Sequence, residues 1–172
     1  MSGTAEFYDG LAGEYDKLFA DWDAATYRQA DILDRIFAAH GFGRSSTVLD
    51  CACGIGTQAI GLARLGYAVT GSDISSAELE ETGRRANAVG VSLSLAKADF
   101  RRLKESIEGE FDIVIAMDNA LPHLLSREDL SEAVESIAGM TRPGGLFVAS
   151  IRDYDAILET KPTYSPPYIR DR

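Results

Sequence analysis

The chain has 172 residues, 45% of them hydrophobic and 26% charged, which suits one globular domain with a sizeable buried core. Lys and Arg number 17 against 27 Asp and Glu; the resulting charge of −10 argues against a surface built for phosphate backbones, and so against nucleic acid as a ligand. No apolar run is long enough for a membrane span, and the start MSGTAEFYDGLAGEYDK, with early acids and no basic residues before them, does not read as a leader, so a cytoplasmic protein without membrane contact is expected.

Tyr8, Tyr15 and Trp22 recur every seven residues and would share one face of a helix continuing past Gly10 and Gly13. Ile32, Leu33, Ile36 and Phe37 mark an amphipathic helix closed by Gly41. The first strand, TVLD at 47–50, leads through glycines into a helix at 57–65, and AVTGSD at 68–73 is the second strand. A helix at 75–89 follows, with Ser75 and Glu78 at capping-box spacing. SLSLAKAD at 92–99 alternates as a weaker strand, 101–107 is a short helical piece, and FDIVIAMDN at 111–119 is the next strong strand. In the helix at 126–140, started by Ser126 and Asp129, residues Leu130, Ala133, Val134, Ile137 and Ala138 share a face, and RPGG stops it before the strand GLFVASI at 145–151. YDAILET has room for a turn or two of helix. The alternation predicts an α/β fold, a Rossmann-like doubly wound sheet of about five parallel strands. A helical segment, 1–45, precedes a core at 46–160, and an irregular Pro-rich tail occupies 161–172.

LDCACGIGTQA at 49–59 contains the G-x-G-x-x-A of a dinucleotide site, but Asp50 ends the strand and three residues separate it from Gly54. A carboxylate about 4 Å from a phosphate charge costs several kcal/mol at intermediate dielectric. The loop therefore suits a cationic ligand that needs close backbone approach, although glycines alone also serve a tight strand-to-helix turn. Cys51 and Cys53, two apart, fit neither a disulfide nor a metal pair; with His40 and His123 they could compose a zinc site, but they read better as packing, and no metal is expected.

Parsed as D-x-A-x-G-x-G, the stretch resembles motif I of class I S-adenosylmethionine-dependent methyltransferases, with Ala52 in place of the first glycine. That cofactor carries a sulfonium and an ammonium and no phosphate. The resemblance implies a strand order of 3-2-1-4-5 and a cofactor cradle of Asp50, Ala52, Gly54 and Gly56. It further implies Asp73 on the ribose hydroxyls with Ile74 beside it, Asp99 on the adenine amino group, Phe100 over the ring, and Met117 near the methyl. Each aspartate alone could equally cap a helix.

MDNALPHLL at 117–125 and SIRDYDAIL at 150–158 are similar to stretches of glycine and sarcosine N-methyltransferases, with Asn119, His123, Arg152, Tyr154 and Asp155 in register; Met117 and Asp118 depart from the usual residues. This likeness implies N-methylation of a small, carboxylated amine. Asn119 would orient the amine, His123 would accept its proton or simply pack, and Arg152 would grip the carboxylate or else pair with Asp118, Asp153 or Asp155. The N-terminal segment becomes a lid, with Tyr8 and Tyr15 over the cofactor, Trp22 in the core, and Arg28 either on the cofactor's carboxylate or in solvent. The family continues after the fifth strand with two more strands, but only 21 residues follow Ile151. The sixth and seventh strands are thus expected to be missing, leaving an edge open to self-association or to a second chain. The alternatives are a cofactor-binding but catalytically incomplete module and, further off, a nicotinamide-dependent oxidoreductase.

Overall fold

A computed structural model describes residues 2–160; the Pro-rich tail at 161–172 lies outside the described residues. Five strands form one parallel sheet: β1 (Thr47–Asp50), β2 (Ala68–Asp73), β3 (Ser94–Lys97), β4 (Phe111–Ala116) and β5 (Thr141–Ala149), in the order β3-β2-β1-β4-β5. The helices are α1 (Ser2–Leu11), α2 (Trp22–Ala39), α3 (Thr57–Leu65), α4 (Ser76–Ala88), α5 (Arg127–Met140) and α6 (Tyr154–Thr160). Short 3-10 turns lie at Tyr15–Leu18, Leu103–Glu105 and Leu121–His123.

Central strands alternate their side chains between two apolar layers, as a doubly wound sheet requires. Val48, Ile113 and Ile115 pack with Leu33 and Phe37 of α2, Leu62 of α3 and Leu79 of α4. Leu49, Val114 and Ala116 pack on the other face with Leu103, Ile107 and, from α5, Ile137 and Met140. The two cysteines are free and buried, one on each face, as the packing reading holds.

Three expectations change. Tyr8, Tyr15 and Trp22 do not share a helix, because α1 ends at Leu11 and α2 begins at Trp22, with the Asp21 side chain accepting the Ala24 amide at 2.9 Å as its cap. The fifth strand begins at Thr141 instead of 145. The RPGG residues are accommodated where the register jumps between Phe111↔Thr141 and Ile113↔Leu146, with Gly144 at φ +76°. On α5, Ala133 and Ile137 are buried, but Leu130 and Val134 are 43% and 51% exposed, because the apolar stripe is wider than the described surface that covers it.

The segment at 1–45 also divides. α2 belongs to the packed layer, where it crosses α3 so closely that a β-carbon on Gly61 would sit 2.8 Å from both the Thr26 carbonyl oxygen and the Ala30 methyl. α1 lies instead against α4. Gly61→Ala would gain roughly 0.5–1 kcal/mol of helix propensity, but the clash is with backbone, and overpacking costs typically 1–3 kcal/mol. We expect a net loss of about 1–2 kcal/mol in urea unfolding; an unchanged or raised midpoint would show that α2 is free to shift.

Candidate functional site

The β1–α3 and β2–α4 loops meet at the carboxyl ends of their strands, where open α/β sheets take their ligands. Asp73 ties them together: one carboxylate oxygen accepts the Gly54 amide at 2.9 Å and the other the Ser75 amide at 3.0 Å. Gly54 stands at φ +51° and Gly56 at φ +89°. A β-carbon on Gly56 would lie 2.8 Å from Ile60 and Thr82 side-chain carbons, so this glycine turns the chain into α3 instead of facing the ligand. Thr82 Oγ donates to the Gly54 carbonyl at 2.7 Å and fixes the loop from α4.

Above these loops is a cleft of about 650 Å³ counted to its open mouth and including solvent there. Ala52, Gly54, Asp73, Ile74, Glu78, Phe100 and Met117 form its floor and sides, and Tyr8 and Tyr15 overhang it. Tyr8 Oη lies 2.9 Å from His123 Nε2, so α1 spans the opening, while Asp9 accepts from Ser75 Oγ at 2.6 Å and from the Ala77 amide at 3.2 Å. Trp22 stands apart and half buried, its indole N–H donating to Thr57 Oγ at 3.2 Å and the Arg85 guanidinium over its ring.

Four expected cofactor contacts, Arg28, Asp50, Gly56 and Asp99, do not line this cleft. Arg28 is exposed on α2, and its distance from the cleft agrees with the solvated reading. Asp99 lines instead an adjoining hollow that shares Ile74 with the cleft, and Arg101 holds both its oxygens, at 2.7–3.1 Å, while also pairing with Asp129. Conversely, Glu78 and Asp118 are on the wall although no motif assigned them there. Ser75 does cap α4, its hydroxyl accepting the Glu78 amide at 3.1 Å, but the reciprocal half of the capping box is not made. The Ser75 amide is already taken by Asp73, and the Glu78 side chain is released toward the cleft.

After β4 the chain passes through Asp118 and Asn119 at φ +52° and +71°, two successive left-handed residues that are not glycine. Ser150 holds the turn: its hydroxyl accepts the Asp118 amide at 2.9 Å and its carbonyl the Asn119 amide at 3.2 Å. Gln58 donates to Asp118 at 2.8 Å, and the Asn119 amide group meets the Tyr154 hydroxyl at 2.8 Å. The turn separates the first cleft from a second hollow lined by Tyr15, Phe19, Asp118, Asn119, Ile151 and Arg152. Arg152 forms no ion pair with Asp118, Asp153 or Asp155, although its backbone amide donates to Asn119 at 3.2 Å.

The site is acidic and short of cations. Asp50, fully buried beneath the loop, has no hydrogen-bond partner on either oxygen; burial pushes its carboxyl up to about 8, against the pull of the nearby Ala52 and Ala59 amides and with the Asp73 and Asp118 charges adding to it. Burial, then the charges of Asp73 and Asp9, bring Glu78 to about 8, with its Oε1 unpartnered. Uncompensated carboxyls beside a cleft with aromatic rings fit a ligand bearing positive charge and hydrogen-bond donors, which S-adenosylmethionine is. Folded Asp50 and Glu78 keep protons that an unfolded carboxyl loses near pH 4. Since the folded chain then binds more protons, their stabilisation is present below about pH 4 and is lost as pH rises toward 8. Asp50→Asn should therefore flatten the decline of the urea midpoint between pH 5 and 8; a decline as steep as in the parent chain would place an ionised Asp50 in the fold.

Residues 48–145, more than half of the chain, match the family model described as a methyltransferase domain. The glycine/sarcosine N-methyltransferase of Parasynechococcus marenigrum (strain WH8102) is 31% identical over 154 residues, covering 90% of this chain and 53% of that protein. The glycine N-methyltransferase of Homo sapiens is 34% identical over 169 residues, covering 90% of this chain and 56% of its own length. The chain thus spans about half the length of these relatives. In fold it resembles the crystal structure of an S-adenosylmethionine-dependent methyltransferase from Clostridium acetobutylicum ATCC 824, with a TM-score of 0.73 at 22% identity over 89% of this chain and 61% of that one. Among the described residues, no helix is long and apolar enough to cross a membrane. The chain belongs to the methyltransferase domain family, and the cofactor of that family, S-adenosylmethionine, is the one its acidic cleft suits.

Proposed function

We propose that the chain carries the cofactor site and part of the acceptor site of a small-molecule N-methyltransferase whose substrate is a carboxylated amine of the glycine or sarcosine kind. The observation that carries this reading is the pair of adjoining hollows. One is acidic and ringed by aromatics; the other has at its rim Arg152, whose guanidinium has no carboxylate partner among the described residues. When bound, S-adenosylmethionine would supply a methyl on its sulfonium, the N–C bond to a neutral amine forming in line as the S–C bond breaks and S-adenosylhomocysteine leaves as the neutral thioether. Charge is dispersed in such a displacement, so the protein's task is positioning.

Asp73, Ile74 and Phe100 would hold the nucleoside, the Ala52–Gly54 loop would lie along its thioether side, and Met117 would border the methyl. Tyr8 and Tyr15 would turn their rings and hydroxyls to the sulfonium. Asn119, oriented by Tyr154, would accept from the amine, and Arg152 would bind the carboxylate through two parallel hydrogen bonds, which lysine cannot reproduce. His123 would take the proton only after Tyr8 leaves its Nε2, which ties proton transfer to movement of α1. In this reading α1 and the turn at Tyr15–Leu18 act as the lid over a cofactor-binding core.

The relatives named for glycine and sarcosine support this acceptor class; the second reading is a cofactor-binding module that does not turn over alone. Labelled S-adenosylmethionine with glycine, sarcosine or ethanolamine separates the two. Transfer to the first two in preference to ethanolamine is expected; binding of S-adenosylhomocysteine without transfer to any amine would leave the module. In an active chain or complex, Arg152→Lys should raise KM for glycine about tenfold, roughly the weight of one charge-assisted hydrogen bond, with cofactor affinity kept. A lowered Tm with unchanged KM would make Arg152 structural.

The outer edge of β5 extends the proposal to partners. Among the described residues β5 pairs only with β4, and Phe147 and Ile151 are exposed on or beside it. A strand from a second copy or from another chain would satisfy that edge. Light scattering should show self-association that Phe147→Lys abolishes; a monomer at all concentrations would rule out a second copy at this edge.

A further inference from the structure

We infer that Glu78 is a second carboxyl group at the ribose of the cofactor, accepting from one of its hydroxyls beside Asp73. This rests on the reading that the cleft binds S-adenosylmethionine. Glu78 is 2% exposed, lines the cleft, and has an oxygen with no partner. A buried acceptor left unpaired is costly, and here the donors of the neighbouring loops and of Thr82 are engaged elsewhere. Ser75 Oγ donates to Asp9, Thr82 Oγ donates to the Gly54 carbonyl, and the Gly54 and Ser75 amides donate to Asp73. Among the described residues no lysine or arginine lines the cleft, so none of them supplies a cation at that wall.

Gly54 keeps the approach open. A β-carbon there would sit 3.7 Å from each Glu78 oxygen and fill the gap between carboxylate and loop. The sheet order then says which part of a ligand meets Glu78. With β2, β1 and β4 adjacent, Asp73 and Glu78 stand on the β2 side of the cleft, and Asp118 and His123, which face the acceptor hollow and the lid, on the β4 side. A ligand whose reacting end lies by β4 therefore presents its non-reacting end to Glu78. Each Asp73 oxygen already accepts a backbone amide, which leaves it one further acceptor site per oxygen.

Calorimetry with S-adenosylhomocysteine, adenosine and 2′,3′-dideoxyadenosine tests this on the chain, on Glu78→Gln and on Glu78→Leu. If a hydrogen bond between a hydroxyl and this carboxylate is made, Glu78→Leu should weaken adenosine and S-adenosylhomocysteine about tenfold to a hundredfold, and leave dideoxyadenosine unchanged. Glu78→Gln, which keeps an acceptor and the shape, should lose less, and it carries the comparison should Glu78→Leu fail to fold. Equal losses for adenosine and its dideoxy form would assign Glu78 to the base and overturn the proposal, as would unchanged affinity for all three. Failure of the parent chain to bind S-adenosylhomocysteine would instead remove the cofactor reading, and this proposal with it.

Discussion

The Asp73 carboxylate is the interaction on which the cleft depends. By accepting amides from the loops after β1 and β2, it fixes the distance between two parallel strands at the end where a ligand enters. From it a chain of hydrogen bonds runs outward. Gly54 continues to Thr82 on α4, and Ser75 continues to Asp9 on α1, so the floor, one wall and the overhanging helix are one connected network. Buried backbone amides need acceptors, and a charged one is worth more than a neutral one. The same residue that would meet a ribose thus also builds the shape that receives it.

The network has a counterpart across the sheet, where β4 hands over to a strained turn. Two consecutive left-handed residues, Asp118 and Asn119, persist because Ser150, Gln58 and Tyr154 hold them from β5, α3 and α6. Strain of this kind is sustained by the surrounding structure and gathers where side chains must be aimed. Here it places Asp118 between the two hollows and Asn119 under the backbone of Arg152.

The electrostatics follow from the architecture. Parallel strands ending in acids gather carboxylates at one rim, and burial keeps Asp50 and Glu78 protonated near neutrality until a ligand supplies charge or donors. An acidic rim without arginine or lysine disfavours a phosphate ligand and accepts a cation, which matches the family's cofactor and explains why a loop with dinucleotide-like glycines serves a different ligand.

Much of the fold was legible in the sequence, because period-two and period-3.6 patterning and the glycine punctuation are local: TVLD, AVTGSD and the helix at 57–65 end where those signals end. Composition and the D-x-A-x-G-x-G loop likewise pointed to a cationic, phosphate-free ligand before any coordinates. The positions Tyr8, Ala52, Gly54, Asp73, Phe100 and Met117 do converge on one cleft. What spacing could not reveal was the outcome of competition between partners distant in the chain. Glu78 reads as half of a capping box until Asp73 occupies the amide it would have bonded, and nothing in the spacing of Asp99 reveals that Arg101, itself shared with Asp129, holds both its oxygens. Arg28 was placed by where α2 turns its faces, and α2 was placed by the close crossing at Gly61. Hydrogen bonds and ion pairs are won by whichever group tertiary packing brings nearest, and that is a property of the folded chain alone.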